Sequence, residues 1–280
     1  MGLRVAGLLK ASSRLMALTS SSQRLETLLQ SGITPMLGNL DKPQTLRRLA
    51  GVATHVVHMA PPPLEGYTDP RTRALVLALR LRSLPSAMVY GSTTGVYGDC
   101  QGEWIDETRR LQPQSARAQR RVDAQNWINF LGKSGYPRTQ VLRIPGIYAL
   151  DREGGTPRER LLRGTPVLDA QEDVYTNHIH ADDLARATVL ALWRGCPLRP
   201  MNVCDDTDMK MGDYMDKAAA IWGLPKPPRI SREQAKLQLS PMVMSFLNES
   251  RRIRSERMAQ EMGLRLLYPT VMDGLKGKTP

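Results

Sequence analysis

Hydroxyls, imidazoles and guanidiniums are the groups in this 280-residue chain whose spacing could do chemistry. The segment YGSTTGVYGD (90–99) sets Ser92, Thr93 and Thr94 side by side, with the Tyr97 phenol close behind. At the C-terminal edge of a strand such hydroxyls can hold a substrate carbonyl or hydroxyl, whereas in a turn they satisfy the backbone. His178 and His180 are spaced i, i+2, so on a strand they share a face. With Asp182 and Asp183 they suggest a metal site, but no third ligand or supporting shell is evident. The aspartates read better as caps of the following helix. Cys100, Cys196 and Cys204 contain no CxxC pair, which argues against structural zinc and a disulfide scaffold and fits a reducing cytoplasm. Arg143, in LRIPG, can contact a substrate phosphate or pair with an acid.

The elements that must position these groups alternate. Residues 3–11 read as a short apolar helix and 14–19 as a strand; Ser20 to Ser22 then cap a helix ending at Gly32. Strands follow near 33–37, at 54–60 (closed by Pro61 to Pro63), at 86–91 and at 139–145. Helices read at 44–50, 69–83 and 115–133. This rhythm is that of a parallel sheet covered on both faces. Beyond residue 150 it gives way to Gly/Pro-rich loops, a strand-to-helix unit at 174–194, a strand at 200–204 and helices between 208 and 262. The expected division is a dinucleotide-binding domain at 1–150 and an interleaved, mostly helical substrate lobe at 151–280.

Composition narrows the function classes. Hydrophobic residues make up 41%, enough for a sizeable core. Charge is 39 minus 27, or +12, which fits phosphate-bearing partners or a solvated cationic surface. Only 5% of residues are aromatic and no nucleic-acid module is recognisable, so no nucleic-acid partner is expected. No apolar run reaches the ~18 residues of a membrane span, so no membrane partner is expected. The weakly signal-like N-terminus is broken by Lys10, and Ala6 breaks the myristoylation pattern.

Four segments in order resemble the extended short-chain dehydrogenase/reductase superfamily, in its atypical NAD-dependent epimerase/dehydratase branch. They are YGSTTGVYGD, LRIPGIYAL (142–150), NHIHADDLARA (177–187) and the closing ESRRIRSERMAQEMGLRLLYPTVMDGL. The resemblance implies a doubly wound Rossmann-like sheet, an NAD(P) cofactor and hydride exchange with a small polar substrate, which can be nucleotide-linked. It implies that Thr93 is the catalytic hydroxyl, and that Ser92 lines the cofactor side and Thr94 the substrate side; Tyr97, four residues on, reaches the same crevice and is the second catalytic candidate, as a replacement acid/base. Gly2 matches the last glycine of the pyrophosphate loop, Asn39 and Leu40 the adenine contact, and Ala60 the strand end beside the nicotinamide ribose. Ser20, Ser21 and Arg24 occupy the place where an acid would hold a ribose 2′-hydroxyl, so NADP is favoured over NAD. Arg251, with Arg252 and Arg254, falls where the family can contact a nucleotide diphosphate; the alternative is a solvated helix start. Helices 69–83 and 115–133 correspond to those that form the family's symmetric homodimer.

Two departures stand out. Only Met1-Gly2 precedes the first helix, so the family's first strand and earlier glycines are absent, and the expectation is that the natural product starts upstream. Losing that central strand would strip its two neighbours of ladder partners. The second departure is catalytic. No tyrosine has Lys at i+4, and in SARAQRRVDAQ the register puts Arg117 in the place of the family's Tyr and Arg121 in that of its Lys. Arginine does not deprotonate and cannot be a general base, so Arg117 is assigned to substrate binding together with Arg143 and Arg251. The competing reading is a nucleotide-binding sensor or scaffold without turnover.

Overall fold

A computed structural model describes residues 1–133 and 136–277. In chain order the first half runs α1 (Gly2–Leu9), β1 (Met16–Thr19), α2 (Arg24–Gln30), β2 (Thr34–Leu37), a 3-10 helix (Pro43–Leu49), β3 (His55–His58), α3 (Pro70–Leu79), β4 (Ala87–Thr93), a second 3-10 turn (Thr94–Tyr97), β5 (Trp104–Ile105), α4 (Ala116–Gly132) and β6 (Arg138–Ile144). The rest runs β7 (Gly146–Tyr148), α5 (Arg158–Leu162), β8 (Val167–Leu168), β9 (Tyr175–Thr176), β10 (His178–His180), α6 (Ala181–Ala191), β11 (Pro200–Asn202), β12 (Met209–Lys210), α7 (Met211–Trp222), β13 (Arg229–Ile230), α8 (Arg232–Gln238), α9 (Pro241–Leu247), β14 (Arg252–Ile253), α10 (Glu256–Met262) and α11 (Val271–Leu275).

The main sheet is parallel, in the order β3-β4-β6-β11. β4 and β6 are buried along nearly their whole length; β4 is apolar or small for most of it, whereas β6 buries Thr139, Gln140 and Arg143 beside Val141, Leu142 and Ile144. One face carries α3 and α4, where Leu75, Val76, Ile128 and Leu131 pack on Met88, Tyr90 and Val141. The other carries α1, α6 and α10, where Val5, Leu184 and Met258 pack with Val89 and Leu142. The fold is therefore the expected Rossmann-like α/β arrangement.

Local signals explain the helix starts. α3 begins where Asp69 accepts hydrogen bonds from Arg71 N (3.0 Å) and Thr72 N (3.1 Å), with Pro70 at the first helical position. α4 begins at Ser115, which accepts from Ala118 N at 3.2 Å. Two expected caps differ. Ser20 to Ser22 do not cap α2 through their side chains: Gln23 stands at the N-cap and makes no side-chain cap bond. The Thr19 hydroxyl has taken the Ser21 N–H (3.2 Å) in a local turn, and the Ser21 and Ser22 carbonyls, not their hydroxyls, reach the helix, accepting from Arg24 N and Leu25 N. At α6 the cap is His180, whose Nδ1 accepts from Asp182 N at 3.2 Å. Asp182 and Asp183 occupy the first turn, and the Asp183 carboxylate instead receives Leu267 N, Tyr268 N and Arg186, tying the C-terminal segment down.

β1 and β2 pair with each other in parallel but belong to a separate ladder, and among the described residues neither pairs with β3. β1 and β3 are only half-buried, whereas β4 beside β3 is closed off. In a doubly wound sheet one strand runs between β1 and β3, and among the described residues no strand fills that place. α1 covers the region: Val5 and Leu9 share a core with Leu15 and Val57, and Arg4 pairs with Asp151 (2.6 Å) and with Asp182.

The later segments wrap back onto the sheet. β11 extends it beyond β6, and β14 pairs with β5, carrying Arg251 and its neighbours to the loop after β4.

Candidate functional site

The C-terminal ends of parallel strands are where α/β folds bind ligands, because the loops beyond them diverge there. β4 ends at Thr93, which is half-buried and caps the short 3-10 turn. Its Oγ1 accepts from Gly95 N at 3.2 Å. That bond uses one lone pair and leaves the Thr93 hydroxyl proton free to donate.

Behind Thr93 runs a closed polar network. Ser92 Oγ accepts from Gln125 Nε2 (2.6 Å), and Gln125 Oε1 accepts from Arg143 Nη2 (3.4 Å). Arg143 Nη1 donates to the Tyr97 hydroxyl (2.8 Å) and to the Glu107 carbonyl (3.2 Å). The Tyr97 hydroxyl donates to Asn202 Oδ1 at 2.7 Å. All five side chains are buried, and burial pushes the Tyr97 phenol up to about 12. Tyr97 is thus a neutral interior donor rather than an acid/base, and the Arg143 Nη groups donate to a phenol, a backbone carbonyl and an amide oxygen. Thr94 is buried in the turn beside them.

The residues in the dyad's places lie on α4. Arg121 Nη1 donates to the Tyr90 hydroxyl (3.0 Å) and to the Gly91 carbonyl (2.7 Å), fixing the end of β4 that carries Thr93. Arg117 is exposed, with its guanidinium 4.6 Å from the Phe246 ring centroid. Desolvation and the neighbouring guanidiniums of Arg121, Arg120 and Arg251 pull its pKa down, against the pull of Glu249. Arg251 donates to the Gly98 carbonyl (2.8 Å) and to Glu249 Oε2 (2.7 Å), so it closes the turn after β4.

The expected cofactor residues lie at the other strand ends. Ser20 and Arg24 are exposed beyond β1 and Ser21 is half-buried; among the described residues Arg24 makes no side-chain hydrogen bond or ion pair. Asn39 and Leu40 follow β2; Asn39 Oδ1 accepts from Asp41 N, and Leu40 packs on the α3/α4 core. Ala60 is half-buried beyond β3. Gly2 is exposed at the first turn of α1, where a Cβ would meet nothing within 4 Å. A free guanidinium and two serine hydroxyls, with no acid among them, suit a 2′-phosphate; at the pyrophosphate position only Gly2 and the α1 N-terminus are present.

No protein-family model and no curated protein sequence matches the chain. Solved structures do. A functionally unknown conserved protein from Silicibacter pomeroyi superposes with a TM-score of 0.79 at 29% identity, over 98% of this chain and 92% of that one. A UDP-glucose 4-epimerase from Thermus thermophilus, in complex with NAD, gives 0.75 at 19% identity, over 98% and 93%. RMD from Pseudomonas aeruginosa, complexed with NADPH, gives 0.70 at 16%, over 94% and 95%. The chain carries the fold of the NAD-dependent epimerases.

Within that epimerase fold, the sequence expectations divide. Thr93, Arg117 and Arg251 come together around the loop after β4. Tyr97, Arg143, Ser92 and Thr94 form the wall behind it. Gln125, Asn202, Phe246 and Glu249 were not anticipated. Glu249 had a weak signal, since it stands two residues before Arg251; the others had none, because each meets its partner only through the fold. His178 and His180 both pack against Tyr148, at 6.2 Å and 5.1 Å between centroids. Burial pushes His178 down to about 4, which makes it a neutral interior ring. Among the described residues no cluster of three His, Cys, Asp or Glu side chains forms a metal site.

Proposed function

We propose that this chain is an NAD(P)-dependent oxidoreductase or epimerase/dehydratase acting on a small polar substrate. The cofactor lies along the ends of β1, β2 and β3, and the substrate lies at the end of β4. The observation that carries the reading is Thr93: a half-buried hydroxyl at the end of β4, held by Gly95 N, with its proton free. Thr93 donates a hydrogen bond through that proton to the reacting oxygen of the substrate. Arg121 holds the strand end in place through Gly91 O, and the Arg143–Tyr97–Asn202 chain fixes the wall behind it. The nicotinamide, when bound, supplies the hydride exchange.

The neighbours solved with NAD and with NADPH support a nicotinamide dinucleotide, and Ser20, Ser21 and Arg24 support NADP over NAD. Calorimetric titration of the chain with NADPH and NADH tests this. Binding of NADPH, weakened by Arg24→Leu, supports the reading; binding of neither nucleotide removes it.

The second reading is a nucleotide-binding sensor or scaffold without turnover. It is favoured by one observation: guanidiniums stand at both dyad positions, and neither can act as a base. Nucleotide binding with no oxidation of bound NADPH by any carbonyl compound would favour it.

A further inference from the structure

α4 opens with three arginines on its first two turns, and they differ in what they bind. Arg120 donates to the Gly66 carbonyl at 2.5 Å, and Arg121 donates to Tyr90 and Gly91. Arg251, from the other side, is engaged with Gly98 and Glu249. Arg117 has no hydrogen-bond acceptor and no ion-pair partner among the described residues, and it is exposed. Its guanidinium carbon lies over the Phe246 ring, 4.6 Å from the centroid. A cation over a ring is held without any of its N–H groups being used by an acceptor. Arg120, Arg121 and Arg251 add positive potential at this point, and Glu249 is the acid that answers it. Two further donors, Arg120 Nε and Arg251 Nε, are buried without acceptors.

A guanidinium presents five N–H donors in a fork that matches a carboxylate or phosphate. A fork seated over an aromatic ring, without an acceptor of its own and crowded by like charges, gains most from an oxyanion, which accepts two charge-assisted bonds and relieves the repulsion. We infer that the substrate of this crevice is an oxyanion: it carries a carboxylate or phosphate group that Arg117 binds through its guanidinium fork while the Phe246 ring seats the guanidinium. The inference rests on the reading of this crevice as the substrate site. It replaces an acid/base at the tyrosine position with a substrate anchor, so the reactive carbon sits within a few bonds of an anionic group.

The test is calorimetric titration of the chain with malonate and, separately, with inorganic phosphate, alongside Arg117→Leu, Arg117→Lys and the exposed-surface control Arg48→Leu. One of the two anions is expected to bind the unaltered chain, and which one binds identifies the group. Arg117→Leu should weaken that binding at least tenfold, Arg117→Lys should weaken it less, and Arg48→Leu should leave it unchanged. Without anion, Arg117→Leu should melt within about 2 °C of the unaltered chain or above it, because it breaks no hydrogen bond and removes a repelled charge. A structural arginine would give a clearly lower value. Binding of neither anion, equal binding by Arg117→Leu, or such a fall in its melting temperature would overturn the inference. NADPH titration of the same samples separates the two readings. NADPH binding without anion binding leaves the proposed function standing and removes this inference. Anion binding without NADPH binding does the reverse.

Discussion

The Tyr97 hydroxyl sits between Arg143 Nη1, which donates to it at 2.8 Å, and Asn202 Oδ1, which accepts from it at 2.7 Å. This places the Tyr97 phenol in the structural wall of the crevice. Replacing Tyr97 by Phe leaves a buried guanidinium and a buried amide each short of a partner. The expected cost is about 1–3 kcal/mol, read as a lower melting temperature, with NADPH affinity unchanged. Loss of cofactor binding at unchanged stability would show instead that Tyr97 acts at the ligand.

A second prediction concerns the strap at the C-terminus. Asp183 is fully buried and its carboxylate receives Leu267 N, Tyr268 N and the Arg186 guanidinium. Asp183→Ala leaves two amides of the strap unpaired and should cost roughly 3–5 kcal/mol. A melting temperature within a degree of the parent's would refute the role given to this residue.

Acid should destabilise the fold through two histidines. Burial pushes both His58 and His178 down from 6.5 to about 4. A folded-state value below the unfolded one means that the neutral ring is favoured in the fold, so its contribution is complete above about pH 6.5 and is lost as pH falls towards 4. The shift corresponds to an effect on the order of 3 kcal/mol for each ring. His178→Phe should flatten the fall in melting temperature over that window, and an unchanged slope would exclude His178 as a source.

A pH effect of opposite direction comes from Asp205. Its carboxyl accepts from Thr207 N at 3.0 Å, and burial pushes it from 3.8 up to about 8. The raised value means that the protonated acid is favoured in the fold. Its contribution is complete below 3.8 and is lost as pH rises to about 8. Asp205→Asn should hold its melting temperature between about pH 6.5 and pH 8, above the histidine window, better than the parent does. Parallel curves for the two proteins would remove Asp205 as the cause.

How much of this was legible in the sequence follows from how local each cause is. β4 was legible because a parallel strand covered on both faces is mostly apolar or small along its length, β3 from its Val56-Val57 centre with Pro61 to Pro63 marking where it has to stop, and β6 from the shorter apolar run Val141-Leu142 and Ile144. α3 and α4 were legible from Asp69-Pro70 and from Ser115. The α6 cap was misassigned because several polar residues competed for one position, and His180 Nδ1 won over the two aspartates. The strand ends were found because the ligand edge of such a sheet is fixed by topology. The connections within the wall were not: Tyr97 and Arg143 stood out in the sequence, but Gln125 on α4 and Asn202 on β11 had no signal, and only the fold brings them to Arg143 and Tyr97. A lone arginine in a helix also looks fully solvated in sequence, so the stacking of Arg117 on Phe246 had no local signal.

The central claim is that the ends of β1 to β4 hold a nicotinamide dinucleotide with a 2′-phosphate. The most direct measurement is the ratio of NADPH to NADH affinity for the unaltered chain and for Arg24→Leu, taken by calorimetry in one buffer. A charge-assisted bond to the phosphate contributes about 1.5–3 kcal/mol, so the account predicts NADPH binding at least about tenfold tighter than NADH, and a ratio near one in the variant. NADH binding as tightly as NADPH to the unaltered chain, or no binding of either nucleotide, would contradict it.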